Sequence, residues 1–173
     1  MEQTGVVTMG GNPVTLSGPS LAVGDKAPDF AVLDQELKPK TLKDFSGKFK
    51  VISVTPSLDT KVCDMQIHWF NEDAANQPED VAVLNISMDL PFALARFCST
   101  KGIDKAIALS DHRDASFGQN WGVLMKEMRL LARAVFIVDK DDVIQYIEIV
   151  PEVTDHPDYE SAIKALEKLT KGN

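Results

Sequence analysis

The run Val51-Ile52-Ser53-Val54-Thr55 is β-branched and apolar, breaks at Pro56-Ser57-Leu58-Asp59, and gives way at Thr60 to a pattern of helical period. Such a run fits a pleated strand, the proline and aspartate turn the chain, and the threonine stands where a helix N-cap stands. The same change of period recurs downstream. A helix over 60–76 is followed by a strand over 81–87, a helix over 90–100, a strand over 105–109, a short helix over 114–120, strands over 134–138 and 143–150, and a last helix over 156–170. Strands alternating with helices predict an α/β fold. Ahead of them, Val6–Met9 and Val14–Leu16 flank Gly10-Gly11-Asn12-Pro13, a hairpin signal, and the main domain begins near Lys26-Ala27-Pro28.

The helix after Thr60 carries Cys63 in its first turn, where unpaired N–H groups and the positive end of the helix dipole favour an anion. Only the thiolate of a cysteine is a good nucleophile. Spacing alone leaves two readings open: a built thiolate site, or a small buried hydrophobe of the kind most free cysteines are. Cys63, Ile67, Phe70 and Ala74 share one helix face, which places the thiol on the buried side and only partly exposed. In the next helix Asp89 is the expected N-cap, and Leu90, Leu94, Phe97 and Cys98 share a face before Gly102 ends it. Cys98 is then semi-buried. The terminal helix is expected to bury Tyr159, Ala162, Ile163, Leu166 and Leu169.

Composition excludes several functions. A net charge of −8 over 173 residues argues against nucleic acid or an anionic membrane as partner, since both need a basic patch. The N-terminus has no basic region with an apolar core of signal length, and no stretch reaches the roughly 18 apolar residues of a membrane span, so a cytoplasmic protein is expected. Two cysteines and three histidines make no four-ligand zinc site without several carboxylates, and no C-x-x-C is present. No G-x-G-x-x-G follows a strand, so no flavin or nicotinamide cofactor is expected.

Pro56, Thr60 and Cys63 spell P-x-x-x-T-x-x-C, which resembles the active-site signature of the peroxiredoxins. Val123–Glu127 followed by Arg129–Asp139 is similar to the late segment of the thiol peroxidase subfamily, in which an arginine faces the reactive cysteine. The resemblance covers nearly the whole chain. It implies a thioredoxin-like fold, with residues 1–18 as a hairpin extension and residues 19–173 as one peroxidase domain.

By the same resemblance Cys63 is the peroxidatic nucleophile, with Thr60 and Arg133 as donors to thiolate and peroxide and Pro56 as the stiff, water-excluding turn. Cys98 would resolve the Cys63 sulfenic acid as a disulfide, with local unwinding of both helices, and thioredoxin would reduce that disulfide in a homodimeric enzyme. Without the resemblance Thr60 is an N-cap, Pro56 a turn residue, Arg133 a solvated or salt-bridged cation and Cys98 core packing. Leu58, Val62, Phe92 and Leu124 are expected around the site and favour alkyl or lipid hydroperoxides beside hydrogen peroxide. His68 and Trp69 stand where the family usually carries basic residues; His68 is expected at the surface, while Trp69 and Trp121 fit either a subunit interface or the core. A hydroperoxide sensor passing its oxidation to a partner protein would use the same chemistry.

Overall fold

A computed structural model describes residues 1–172. The chain opens with strands β1 (Glu2–Met9) and β2 (Asn12–Ser17), followed by β3 (Ala31–Leu33), β4 (Pro39–Thr41) and β5 (Phe49–Val54). Helix α1 (Lys61–Ala74), β6 (Val81–Ser87), α2 (Pro91–Lys101), β7 (Ile107–Ser110) and α3 (Ser116–Asn120) come next. The last elements are β8 (Leu124–Met125), β9 (Leu130–Leu131), β10 (Ala134–Val138), β11 (Ile144–Ile149) and α4 (Tyr159–Lys171). Mixed α/β architecture of thioredoxin-like type follows, with each expected element present: 81–87 and 134–138 keep their bounds, and the other ends move by at most four residues. The short strands β3, β4, β8 and β9 carry no periodic signal of their own; pairing to neighbours creates them.

Seven strands form the main sheet in the order β11-β10-β5-β6-β7-β3-β4, and β1-β2-β8-β9 form a second, smaller sheet. Strands β5, β6 and β7 are parallel, while β10 runs antiparallel to β5 with Ala134 opposite Val54. Because β5 is central, both of its faces are buried, and alternation sends its side chains into two cores. Val51 packs with Cys63, Ile67, Phe70, Leu94, Cys98, Val135 and Leu166 on one face. Ile52 and Val54 pack with Leu16, Phe117, Trp121, Leu124 and Phe136 on the other. Trp121 is therefore a core residue, stacked on Phe117 at 5.0 Å and donating its indole N–H to Pro28 O at 3.0 Å. Trp69 is half-buried and stacks on Tyr159 at 4.7 Å.

The hairpin turns through Gly10 and Gly11 at φ of 59° and 81°, a left-handed pair that matches the twist of the flanking strands. Its second strand pairs with β8, Leu16 opposite Met125, which fastens the hairpin to the segment leading into Arg133. Asp89 is not the cap of α2: Leu90 holds that position without a side-chain bond, and Pro91 begins the helix. Leu90 and Phe92 are exposed, and the buried positions of α2 are Pro91, Leu94 and Cys98. In α4, Ala162 and Leu166 are buried, and Tyr159, Ile163 and Leu169 are half-buried.

Candidate active site

Cys63 occupies the third position of α1, and its side chain is wholly buried rather than partly exposed. Thr60 takes the extended N-cap conformation, but its hydroxyl caps nothing; it is exposed and donates to Ser57 O at 3.1 Å, closing the turn before the helix. The first N–H groups of α1 are therefore left without a side-chain acceptor, at the end of the helix where the dipole is positive. Pro56 is buried in the turn ahead of them.

Arg133 lies one residue before β10 and has the same parity as Val135 and Ile137, so its side chain enters the Cys63 face of the sheet. It is 2% exposed. Its guanidinium donates from one terminal nitrogen to Cys63 Sγ at 3.3 Å, from the other to Gln66 Oε1 at 2.9 Å, and from Nε to Val153 O at 2.8 Å. A planar cation that uses its fork on three fixed acceptors is held in one orientation. Arginine is thus brought to the thiol from 70 residues away.

Beneath this contact runs a buried polar chain with no counterpart in the sequence reading. Gln66 Nε2 donates to Ser53 Oγ at 2.7 Å, Ser53 Oγ donates to Asn85 Oδ1 at 3.0 Å, and Asn85 Nδ2 donates to Thr55 Oγ1 at 3.2 Å. All four residues are at most 1% exposed. Ser53, Thr55 and Asn85 share the parity of Val51 and Val83, so they interrupt an apolar sheet face near the carboxyl ends of β5 and β6. Polar residues at central-strand positions are the signal that marks such a chain in a sequence, since an unsatisfied buried polar group is costly.

Asp89 links the loop before α1 to the start of α2. Its carboxylate accepts from Ser57 Oγ at 2.7 Å, Leu58 N at 2.8 Å and Ser87 Oγ at 2.8 Å. An open cleft of about 480 Å³ lies beside it, lined in part by Ser57, Leu58, Asp59, Asp89, Leu94 and Phe97. Leu58 and Leu94 pack in the same core as Cys63. Two expected apolar neighbours fall elsewhere: Phe92 is 67% exposed, and Leu124 belongs to the opposite core because β8 pairs with β2 and β9.

Cys98 is buried on α2 in the same core as Cys63, and both are free thiols. Burial pushes the Cys98 thiol up, partly offset by a hydrogen bond with the Gln35 side chain. Tyr159 of α4 is near enough to the site to feel the charges of Arg133 and Cys63, a proximity that no local pattern marks. Its phenol is raised by burial, lowered in part by the Arg133 charge and raised again by Cys63. His68 is half-exposed and bound to Asp64 at 2.8 Å, with Lys101 of α2 on the same carboxylate at 3.3 Å. Among the described residues no helix is long and apolar enough to cross a membrane, and no group of three or more His, Cys, Asp or Glu is placed to hold a metal.

The arrangement is a buried free thiol in the first turn of a helix with a fixed guanidinium donating to it, which suits attack on an electrophile whose leaving group takes on negative charge. Comparisons with known proteins bear on which electrophile. A family model described as Redoxin matches residues 22–163. A thiol peroxidase of Halalkalibacterium halodurans is 55% identical over 159 residues, which is 92% of this chain and 95% of that protein. A thiol peroxidase of Oceanobacillus iheyensis is 54% identical over 162 residues, 94% of this chain and 98% of that protein. The crystal structure of a peroxiredoxin-like protein from Aquifex aeolicus matches with a TM-score of 0.87 at 41% identity, covering 95% of this chain and 98% of that one.

Proposed function

The chain belongs to the redoxin family as a peroxiredoxin-type peroxidase resembling the thiol peroxidases, and from that premise we propose that Cys63 is its peroxidatic nucleophile, with hydrogen peroxide and alkyl or lipid hydroperoxides as substrates. The observation that carries this reading is the Arg133 guanidinium at 3.3 Å from a fully buried Cys63 Sγ. The thiolate attacks one peroxide oxygen, the S–O bond forms as the O–O bond breaks, and the departing alkoxide or hydroxide takes a proton to leave as alcohol or water. Arg133 stabilises the thiolate before the reaction and the charge shared by both oxygens during it. Thr60 supplies a second donor by turning its hydroxyl from Ser57 O toward the incoming peroxide, and Pro56 keeps the turn stiff and dry. Leu58 and Leu94 beside the cleft support acceptance of an apolar substituent on the peroxide.

Cys63 is left as a sulfenic acid. Cys98 then attacks its sulfur, forming the Cys63–Cys98 disulfide with loss of water, and a dithiol partner, thioredoxin, returns the two electrons. The two cysteines sit on separate helices, so resolution requires α1 and α2 to unwind locally. No cofactor enters these steps. Residues 1–18 are taken as the hairpin extension, 19–173 as the peroxidase domain, and the enzyme as a cytoplasmic homodimer. Exposed Met65, Leu90 and Phe92 on α1 and at the start of α2 support a subunit contact there.

The deciding experiment follows peroxide consumption with thioredoxin, thioredoxin reductase and NADPH. Cys63→Ser is expected to abolish even stoichiometric peroxide reduction, while Cys98→Ser permits one oxidation and stops turnover. A parent protein that oxidises but does not turn over with thioredoxin would instead be a peroxide sensor that hands its disulfide to another protein.

A further inference from the structure

The third acceptor of Arg133, Val153 O, lies in the irregular segment between β11 and α4, which has no ladder to hold it. The N-terminal hairpin supplies the fastening. Thr8 N donates to Pro151 O at 2.8 Å, and Val153 N donates to Thr8 O at 2.9 Å, so β1 grips the backbone on both sides of Glu152. The Glu152 carboxylate completes the grip with Gly11 N at 2.7 Å, Gly10 N at 3.1 Å, Thr8 Oγ1 at 3.0 Å, and Thr154 N and Oγ1 at 3.0 and 2.8 Å. Two successive N–H groups of a left-handed glycine pair form a small anion-binding nest, and here the anion is a side chain from the loop. These donors, the Thr154 and Gly11 amides foremost, hold the Glu152 carboxyl down at about 2. The hairpin lies outside residues 22–163, the part matched by the Redoxin model.

We propose that Glu152 is a positioning residue for the peroxidase reaction: by clamping the hairpin tip onto residues 151–154 it fixes the Val153 carbonyl that orients Arg133 over Cys63. The proposal rests on the reading of Cys63 as nucleophile and Arg133 as its partner. A carboxylate acting only through its charge would have the opposite signature, because its removal would favour a nearby thiolate, whereas a loosened Arg133 disfavours it.

The test uses the full chain carrying Cys98→Ser, so that a single thiol reports. Thiolate formation is followed by its ultraviolet absorbance against pH, and sulfenic acid formation by stopped-flow with hydrogen peroxide. Glu152→Gln is expected to move the midpoint of thiolate formation upward and to slow oxidation by roughly ten- to a hundredfold. Thr8→Val, which removes one of the five donors and leaves the backbone grip, shifts both in the same direction by less and serves if Glu152→Gln does not fold. In an Arg133→Lys background, Glu152→Gln adds nothing further. A lower melting temperature with unmoved midpoint and rate, a downward midpoint, or an additive effect on Arg133→Lys would each overturn the proposal. If Arg133→Lys by itself moves neither quantity, the site reading fails, and this proposal fails with it.

Discussion

Gln66 accepts from Arg133 through Oε1 at 2.9 Å and donates to Ser53 through Nε2 at 2.7 Å, so one buried amide couples the guanidinium above Cys63 to the floor of the sheet. Its orientation is dictated from both ends. A flipped amide would set N–H against N–H at Arg133, and the Ser53–Asn85–Thr55 chain fills the alternative.

Gln66→Met keeps the volume and removes the bonds to Arg133 and Ser53, with the longer one from Nε2 to Val54 O at 3.4 Å. It leaves an Arg133 donor without its acceptor inside the core, and a destabilisation of about 1–3 kcal/mol is expected in urea unfolding. Cys63 oxidation slows in the same variant, because the guanidinium loses one of its three fixed acceptors.

Arg133→Lys retains the charge and loses the fork. A single ammonium cannot reach Cys63 Sγ, Gln66 Oε1 and Val153 O together, so peroxide reactivity is expected to fall roughly a hundredfold or more in stopped-flow, with the protein still folded.

Asp89→Asn weakens the link between the loop before α1 and the end of β6. An amide keeps a single accepting oxygen, which can serve Leu58 N and Ser87 Oγ, while its NH2 faces the Ser57 hydroxyl and ends that residue's donation to position 89. Amide exchange at 58–64 is expected to quicken, and the Cys63–Cys98 disulfide to form faster after a peroxide pulse, because the opened state is reached more readily.

Asp111 gives a pH dependence of definite sign. Its buried carboxyl is pushed up to about 6 by desolvation, against the lowering effect of the Gly118 and Phe117 N–H bonds at 2.8 and 3.0 Å. The unfolded chain releases that proton near the ordinary aspartate value of 3.8, so the folded state binds it more tightly. Stability from this group is therefore full below about 4, falls as pH rises through the window to about 6, and stays flat above. Relative to Asp111→Asn, the parent should lose about 3 kcal/mol between pH 4 and pH 7 in chemical unfolding.

Local pattern determined the longer elements, though not the short strands β3, β4, β8 and β9. The β-branched run before Pro56, the helix faces of Cys63 and Cys98, and the hairpin around Gly10-Gly11 could be read from residues a few positions apart, because strand and helix periods are short-range properties. Resemblance pointed to Arg133 by number, but its path to Cys63 depended on the parity of β10 and its pairing with β5. The same dependence moved Leu124 to the far core and turned Asp89 from a cap into a strut. It buried Trp121, and it assembled Gln66 of α1, Ser53 of β5, Asn85 of β6 and Thr55 just past β5. Sequence by itself determined which residues of the longer elements could be strand and helix. Which buried polar groups satisfy one another was decided only by the tertiary structure, because a hydrogen-bond partner is chosen by sheet order and face rather than by distance along the chain.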